Sequence, residues 1–230
     1  MTKKTPLVIV IDGIIGSGKT TLIEQCLVPG LAKAGYRVAV VPEPVDLWKQ
    51  NGSLRQFYDD PKRRAYQFQT RAFHDRVRCS QKCHRAHEGT AEVFLLERSI
   101  FTDLLFMKML KQSETVDESE YRDYLDLWTM WREVMPFRPN LFVYLRPALV
   151  TAMGRLKERN RDGEQKVSPE YQKLLQAEHD QYFAKKSVEI EPGVRVPCAL
   201  LETDDNFRDE EGTKKKIVAF FVAEIKKARS

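Results

Sequence analysis

The stretch from residue 7 to residue 22, LVIVIDGIIGSGKTTL, constrains this chain more than any other. Residues 7–11 are all apolar and read as a strand buried on both faces. The next eight, Gly13-Ile14-Ile15-Gly16-Ser17-Gly18-Lys19-Thr20, fit G-x-x-x-x-G-K-[ST]. Glycines in such a loop let the backbone turn sharply and aim its N–H groups at phosphate oxygens. Lys19 can reach the β- and γ-phosphates, and the Thr20 hydroxyl can sit on Mg²⁺. The helix that follows, with Thr21 in its first turn, presents its positive end to the same anion. Strand, loop and helix together predict a bound nucleoside triphosphate and leave open what receives the phosphate.

Strand and helix patterns alternate along the rest of the chain. Further strands are expected at residues 37–41, 93–96, 141–145 and 198–201. Helical stretches are expected at 61–87, 100–110, 121–134, most of 151–186, and from 213 to the end. Pro29-Gly30 should end or kink the first helix. Residues 111–120 are polar and read as a loop or an exposed helix start. The alternation implies an α/β fold: a five-stranded parallel sheet with helices on both faces, in one domain over residues 1–230.

The totals exclude several classes. The net charge of +5 carries no basic tract or aromatic-basic repeat, so no nucleic-acid partner is expected. The longest apolar run, residues 217–223, is far short of the roughly 20 residues a membrane span needs. Four cysteines make no disulfide framework, and no signal or transit peptide fits ahead of residue 7. The expected location is cytoplasmic, with the nucleus also open.

Four constellations carry chemistry. Glu43 stands between Pro42 and Pro44 at a strand's carboxyl end, where open α/β sheets bind ligands. It reads equally as a general base for an attacking hydroxyl or as a solvated loop glutamate. In Glu97-Arg98-Ser99, Arg98 can clamp a transferring phosphoryl group and Glu97 can hold Mg²⁺ through water; a structural ion pair is the alternative. Arg155 and Arg159 share a helix face, and with Arg161 form a segment, about 155–167, that can close over phosphates as a lid or simply be a charged helix end. Gln69 and Arg76 lie with Ala72 and Phe73 on one face of the long helix, beside Phe68. An amide there can read a base edge and an aromatic can stack on it, though an ordinary amphipathic helix looks the same.

Taken together, these residues resemble the deoxynucleoside kinases of the deoxycytidine/deoxyguanosine kinase type. The likeness runs from the phosphate loop to Asp205-Asn206-Phe207. It is carried by Glu43-Pro44-Val45-x2-Trp48, Phe68-Gln69-Thr70, Glu97-Arg98-Ser99-x3-Asp103 and Arg155-x3-Arg159-x-Arg161. The resemblance implies that Glu43 activates a 5′-hydroxyl and that Arg98 orients Glu43 and contacts phosphate. Lys19, Thr20 and Glu97 would handle ATP and Mg²⁺. Ile15, Val45, Trp48, Leu54, Phe68 and Met107 would wall the nucleoside pocket, with Gln69 on the base edge. Tyr58 and Glu164 would hold the 3′-hydroxyl, and Phe207 would lie against the donor's base. Positions matching Ala72, Arg76 and Asp103 tune base preference in that family. Two charges at Arg76 and Asp103 would pair, which implies deoxycytidine and purine deoxynucleosides over thymidine. Relatives are usually homodimers paired through helices.

Two other readings compete. A thymidylate-type nucleoside monophosphate kinase shares the phosphate loop and lid, but would show Asp-Arg-aromatic where this chain has Glu97-Arg98-Ser99. A non-enzymatic nucleotide-binding regulator would keep Lys19 without needing Glu43. Cys79, Cys83, His84 and His87 cluster in one helical stretch, but their spacing is not a standard zinc pattern, and no zinc is expected.

Overall fold

The computed structural model describes residues 5–161, 164–205, 207 and 210–229. Asn206 and part of the 155–167 segment, Asp162 and Gly163, lie outside the described residues. Among the described residues six strands form one sheet in the order β2-β3-β1-β4-β6-β5. The strands are β1 (Leu7–Asp12), β2 (Val38–Val41), β3 (Val93–Glu97), β4 (Leu141–Arg146), β5 (Ser187–Glu191) and β6 (Val194–Glu202). β1 pairs in parallel with β3 on one side (Leu7 opposite Val93) and with β4 on the other (Ile9 opposite Leu141). β2 joins β3, and β6 joins β4, also in parallel.

The expected five parallel strands are therefore six, and β5 is antiparallel to β6. Pro192 and Gly193 turn the chain between them, Gly193 with φ +77°. Val188 and Ile190 are buried while Glu189 is exposed, the period-2 pattern of a half-buried strand.

β1 is buried along its whole length because helices cover both faces. Val8 and Val10 join a core with the long helix α5 (Pro61–His87) and with α6 (Ile100–Gln112) and α7 (Glu118–Val134). Leu7, Ile9 and Ile11 face the other way, onto the first helical stretch and α10 (Glu211–Arg229). That first stretch does not end at Pro29-Gly30. It runs as α1 (Lys19–Leu22), a π turn (Ile23–Leu27) and α2 (Val28–Lys33). Pro29 falls in the first turn of α2, where a missing N–H is tolerated. The chain continues through α3 (Val45–Gln50), α4 (Ser53–Asp59), α8 (Leu149–Arg159) and α9 (Pro169–Phe183).

Caps fix where the helices that carry the site begin. The Asp60 carboxylate accepts from Arg63 N–H at 3.3 Å, and Pro61 opens α5. Asp117 and Glu120 form a reciprocal capping box at 2.9 and 3.0 Å, which starts α7 inside the polar stretch 111–120. Among the described residues, no group of three or more His, Cys, Asp or Glu is assembled for a metal. His84 packs on Phe94 and Phe137, and the Cys83 thiol faces the Val40 carbonyl. No described helix is long and apolar enough to cross a membrane.

Candidate active site

The carboxyl ends of β1, β2 and β3 converge on one place. β1 delivers the phosphate loop. Gly16 and Gly18 take positive φ there, +81° and +91°, and Gly18 hands the chain into α1. A side chain at Gly18 would put its Cβ 2.7 Å from the Phe207 ring, so glycine is required by space as well as by φ. Lys19 is folded into the loop, with Nζ donating to the carbonyls of Gly13 (3.1 Å) and Ile14 (3.0 Å). Burial and the Arg98 charge bring its ammonium down to about 7, partly opposed by Glu43, Glu97 and Asp12. Ile14 and Ser17 are buried within the loop.

β2 delivers Glu43. Its Oε1 meets Arg98 Nε at 3.2 Å and accepts from Arg76 Nη2 at 3.1 Å. Burial alone would raise this carboxyl, but the charges of Arg98, Arg76 and Lys19 outweigh it and hold Glu43 below the ordinary carboxylate value. β3 delivers Glu97 and Arg98. Thr20 Oγ1 donates to Glu97 Oε1 at 2.6 Å. Burial first, then the Glu43 charge, raises Glu97. A buried carboxylate raised in this way beside a loop threonine is relieved by a divalent cation, so this pair fits Mg²⁺.

Two cavities share the loop as their common wall. The first, about 430 Å³, is lined by Glu43, Glu97 and Arg98 at one end. Ile15, Val45, Trp48, Leu54, Phe68 and Gln69 also line it, as do Tyr58, Arg159, Arg161 and Glu164. The second, about 660 Å³, is lined by Arg155, Glu158, Asp204 and Phe207. Gly16, Gly18, Thr21 and Arg159 border both.

The structure thus brings most of the expected residues to one site and moves some. Met107 is buried in the core and, among the described residues, does not line the cavity; Phe106, one position earlier on α6, does. Ala72, Arg76 and Asp103 stand behind the cavity wall, all buried. Arg76 Nε donates to Asp103 Oδ2 at 2.9 Å, Nη1 to the Glu97 carbonyl at 3.4 Å, and Nη2 to Glu43. Arg76 therefore meets Glu43 and Asp103 at once, and its guanidinium lies 5.7 Å from the Trp48 ring. Of the three arginines at 155–161, two engage Glu164, from Arg159 at 2.6 Å and Arg161 at 3.2 Å. Arg155 turns instead to the carbonyls of Thr203 (2.7 Å), Asp205 (3.3 Å) and Ser17 (3.4 Å), and sits over the Phe207 ring.

Phe57, Phe106 and Tyr171 also line the first cavity and were not anticipated. Phe57 stacks on Phe68 at 4.8 Å, and an aromatic at i−1 from Tyr58 was the available signal. Asp12 was likewise missed. It lies wholly buried at the end of β1, accepting from Gly13 N–H at 2.7 Å and pairing with Arg98 at 3.0 Å. An acid closing an otherwise apolar strand, directly before the first loop glycine, was its signal.

A family model described as deoxynucleoside kinase matches residues 9–226. Deoxycytidine kinase 2 of Gallus gallus is 30% identical over 87% of this chain and 83% of its own length. Deoxyadenosine kinase of Dictyostelium discoideum is 34% identical over 75% of this chain and 65% of its own. Among solved structures, deoxyadenosine kinase from M. mycoides, with dCMP and dCDP bound, superimposes with a TM-score of 0.72. It is 22% identical, covering 95% of this chain and all of that one.

Proposed function

The chain belongs to the deoxynucleoside kinase family and is a phosphotransferase; from that premise we propose that it moves the γ-phosphoryl group of ATP to the 5′-hydroxyl of a deoxynucleoside, with Glu43 as the base. The observation that carries this reading is the shared wall. A cavity ending in Glu43 and Arg98 meets a second cavity across the phosphate loop, which is the arrangement an in-line transfer between two substrates needs.

In this mechanism the nucleoside lies in the first cavity, its base between Trp48, Phe68 and Phe106 and against the Gln69 amide. Tyr58 and Glu164 take the 3′-hydroxyl. Glu43 accepts the proton of O5′ as that oxygen attacks phosphorus. Arg98 holds the carboxylate in place and faces the equatorial oxygens of the transferring group. The loop N–H groups, Lys19, Arg159 and Arg161 take up charge as it spreads toward the leaving diphosphate, and residues 155–167 act as the lid. Mg²⁺, when bound by Thr20 and by Glu97 through water, screens the triphosphate. The donor's base lies against Phe207, along the 205–207 segment, with Arg155 beside it.

Deoxycytidine and purine deoxynucleosides are favoured over thymidine. The support is the polar Arg76–Asp103 pair behind the base cavity, together with relatives named as deoxycytidine and deoxyadenosine kinases. We also propose a homodimer built on α5 and α7. Exposed Met130 joins Leu127, Trp131 and His74 along an open groove of about 640 Å³ between these helices, and Val134 is exposed at the end of α7. A reducing, cytoplasmic setting fits the four free cysteines.

A panel of the four deoxynucleosides with ATP, followed by phosphate transfer, tests the reading. Transfer to deoxycytidine or a purine deoxynucleoside at the highest kcat/KM is expected. Thymidine exceeding all three would overturn the base preference, and transfer only to monophosphates would overturn the acceptor.

A further inference from the structure

Arg98 does its work from an unusual backbone position. It is a non-glycine residue with φ +63°, and its guanidinium must sit within reach of Glu43. Such a conformation persists only where the surroundings over-determine it. Two contacts do so. Asp12 Oδ1 accepts from Arg98 Nη1 at 3.0 Å, and the Phe106 ring lies 4.8 Å from the guanidinium.

Both of these supports touch one further side chain, His179 on α9, which is fully buried and far from the cavity in sequence. His179 Nε2 faces Asp12 Oδ1 at 3.2 Å, and its ring meets Phe106 edge-on at 6.3 Å. Its other nitrogen, Nδ1, faces the Leu175 carbonyl at 2.7 Å. Both ring nitrogens thus face acceptors. Two turns earlier on the same face of α9, the fully buried Gln172 donates from Nε2 to the Ile15 carbonyl at 2.5 Å. One helix face therefore grips the phosphate loop at Ile15 and the Asp12–Arg98 pair at its base.

We propose that His179 is a positioning residue: through Asp12 and Phe106 it fixes Arg98, and through Arg98 the Glu43 carboxylate, without touching either substrate. This rests on the reading of Glu43 and Arg98 given above. A buried histidine that served packing alone would need neither two acceptors nor contact with both supports of one arginine.

The test compares His179→Phe, which keeps the ring and its Phe106 contact but has no donor, with His179→Gln, whose amide can replace Nε2. In His179→Phe, kcat should fall about tenfold or more while KM for nucleoside and for ATP stays within about threefold, because loosening the reacting geometry costs turnover before binding. His179→Gln should recover most of that loss. A crystal structure of His179→Phe should show Arg98 Nε withdrawn from Glu43. Should His179→Phe fail to fold, His179→Leu serves as the donor-less partner in the same comparison. The proposal is overturned if the donor-less variant keeps kcat within about twofold of the parent, if His179→Gln falls as far as it does, or if KM rises in proportion as kcat drops. Glu43→Gln is measured alongside. Full activity there would sink the reading of the active site itself, whereas an inactive Glu43→Gln with an active His179→Phe sinks only the role of His179.

Discussion

On the Glu43 side of the phosphate loop the working surface is made of side chains. Glu43, Arg98, Arg76 and Asp103 are mutually paired within 3.2 Å and largely withdrawn from water. On the Phe207 side the polar side chains Arg155 and Asp204 are tied to main chain and not to one another. Gly16 and Gly18 supply bare backbone, and Arg155 is spent on three carbonyls. Side-chain networks in low dielectric are demanding about charge and position, because removing one partner strands the others. A main-chain surface presents the same groups whatever the neighbouring side chains are. The acceptor should therefore be read closely and the donor's base loosely, and substitutions should hurt unequally on the two sides.

The largest effect is expected from Glu43→Gln, which is nearly isosteric and removes only the capacity to take a proton. We expect kcat to fall by about 100-fold or more, with the nucleoside dissociation constant little changed. Single-turnover transfer and direct nucleoside binding measure the two separately. A near-normal kcat would put the chemistry elsewhere and erase the contrast between the two sides.

Gly18→Ala comes next, because it attacks the main-chain side where that side is least tolerant. The methyl group meets Phe207 at 2.7 Å, and the residue must hold φ +91°. Strain of about 1–3 kcal/mol is expected, enough to raise KM for ATP about tenfold or more. Nucleoside binding should stay close to the parent's when measured without donor. Equal loss on both sides would mean that the loop moves as one piece and the contrast is false.

Phe207→Ala is expected to do less. It deletes one face of the donor platform and its contact with Arg155, 5.5 Å from the ring. The cation–π contact and part of a stack are worth about 1 kcal/mol in binding, so KM for ATP should rise about fivefold with kcat nearly unchanged, while loss of the buried ring's packing should lower stability by about 3 kcal/mol. Rates with different nucleoside triphosphates should then converge, and a donor preference that sharpened instead would show that groups other than the Phe207 ring read the base.

The same division explains what could be read from the residues alone. The loop from Gly13 to Thr20 is contiguous, so its geometry is written in one motif, and the strands that align it follow from apolar runs. β5 was missed although its alternation was present, because Val188 and Ile190 fall between the helical run expected to 186 and the strand expected at 198–201 and were assigned to neither. The start of α7 was left open although Asp117-x-x-Glu120 is a capping signature. Met107 was placed on the cavity and Phe106 was not, since a one-residue step around a helix, about 100°, decides between core and cavity. The grip of α9 on Asp12 had no signal, because it joins residues 167 positions apart through one buried histidine.

The smallest expected effect is a flat pH response on the acid side, and it bears directly on the side-chain network. Glu43 works as a carboxylate, so activity is lost when it takes up a proton. Burial would raise its pKa, but Arg98, Arg76 and Lys19 outweigh it and hold it below the ordinary carboxylate range. Its charged form therefore persists as pH falls through the ordinary carboxylate range, and is lost only below it. The kcat/KM for the nucleoside, at saturating ATP, should change by less than about twofold between pH 7 and 5 as far as Glu43 decides it. Replacing Arg76 by Met removes one of the charges that hold the carboxyl down, so the acid limb should move up in pH while Arg98 still orients the group. A limb that stays fixed in Arg76→Met would assign the depression to Arg98 and Lys19 alone, and would confine Arg76 to the base cavity with Asp103.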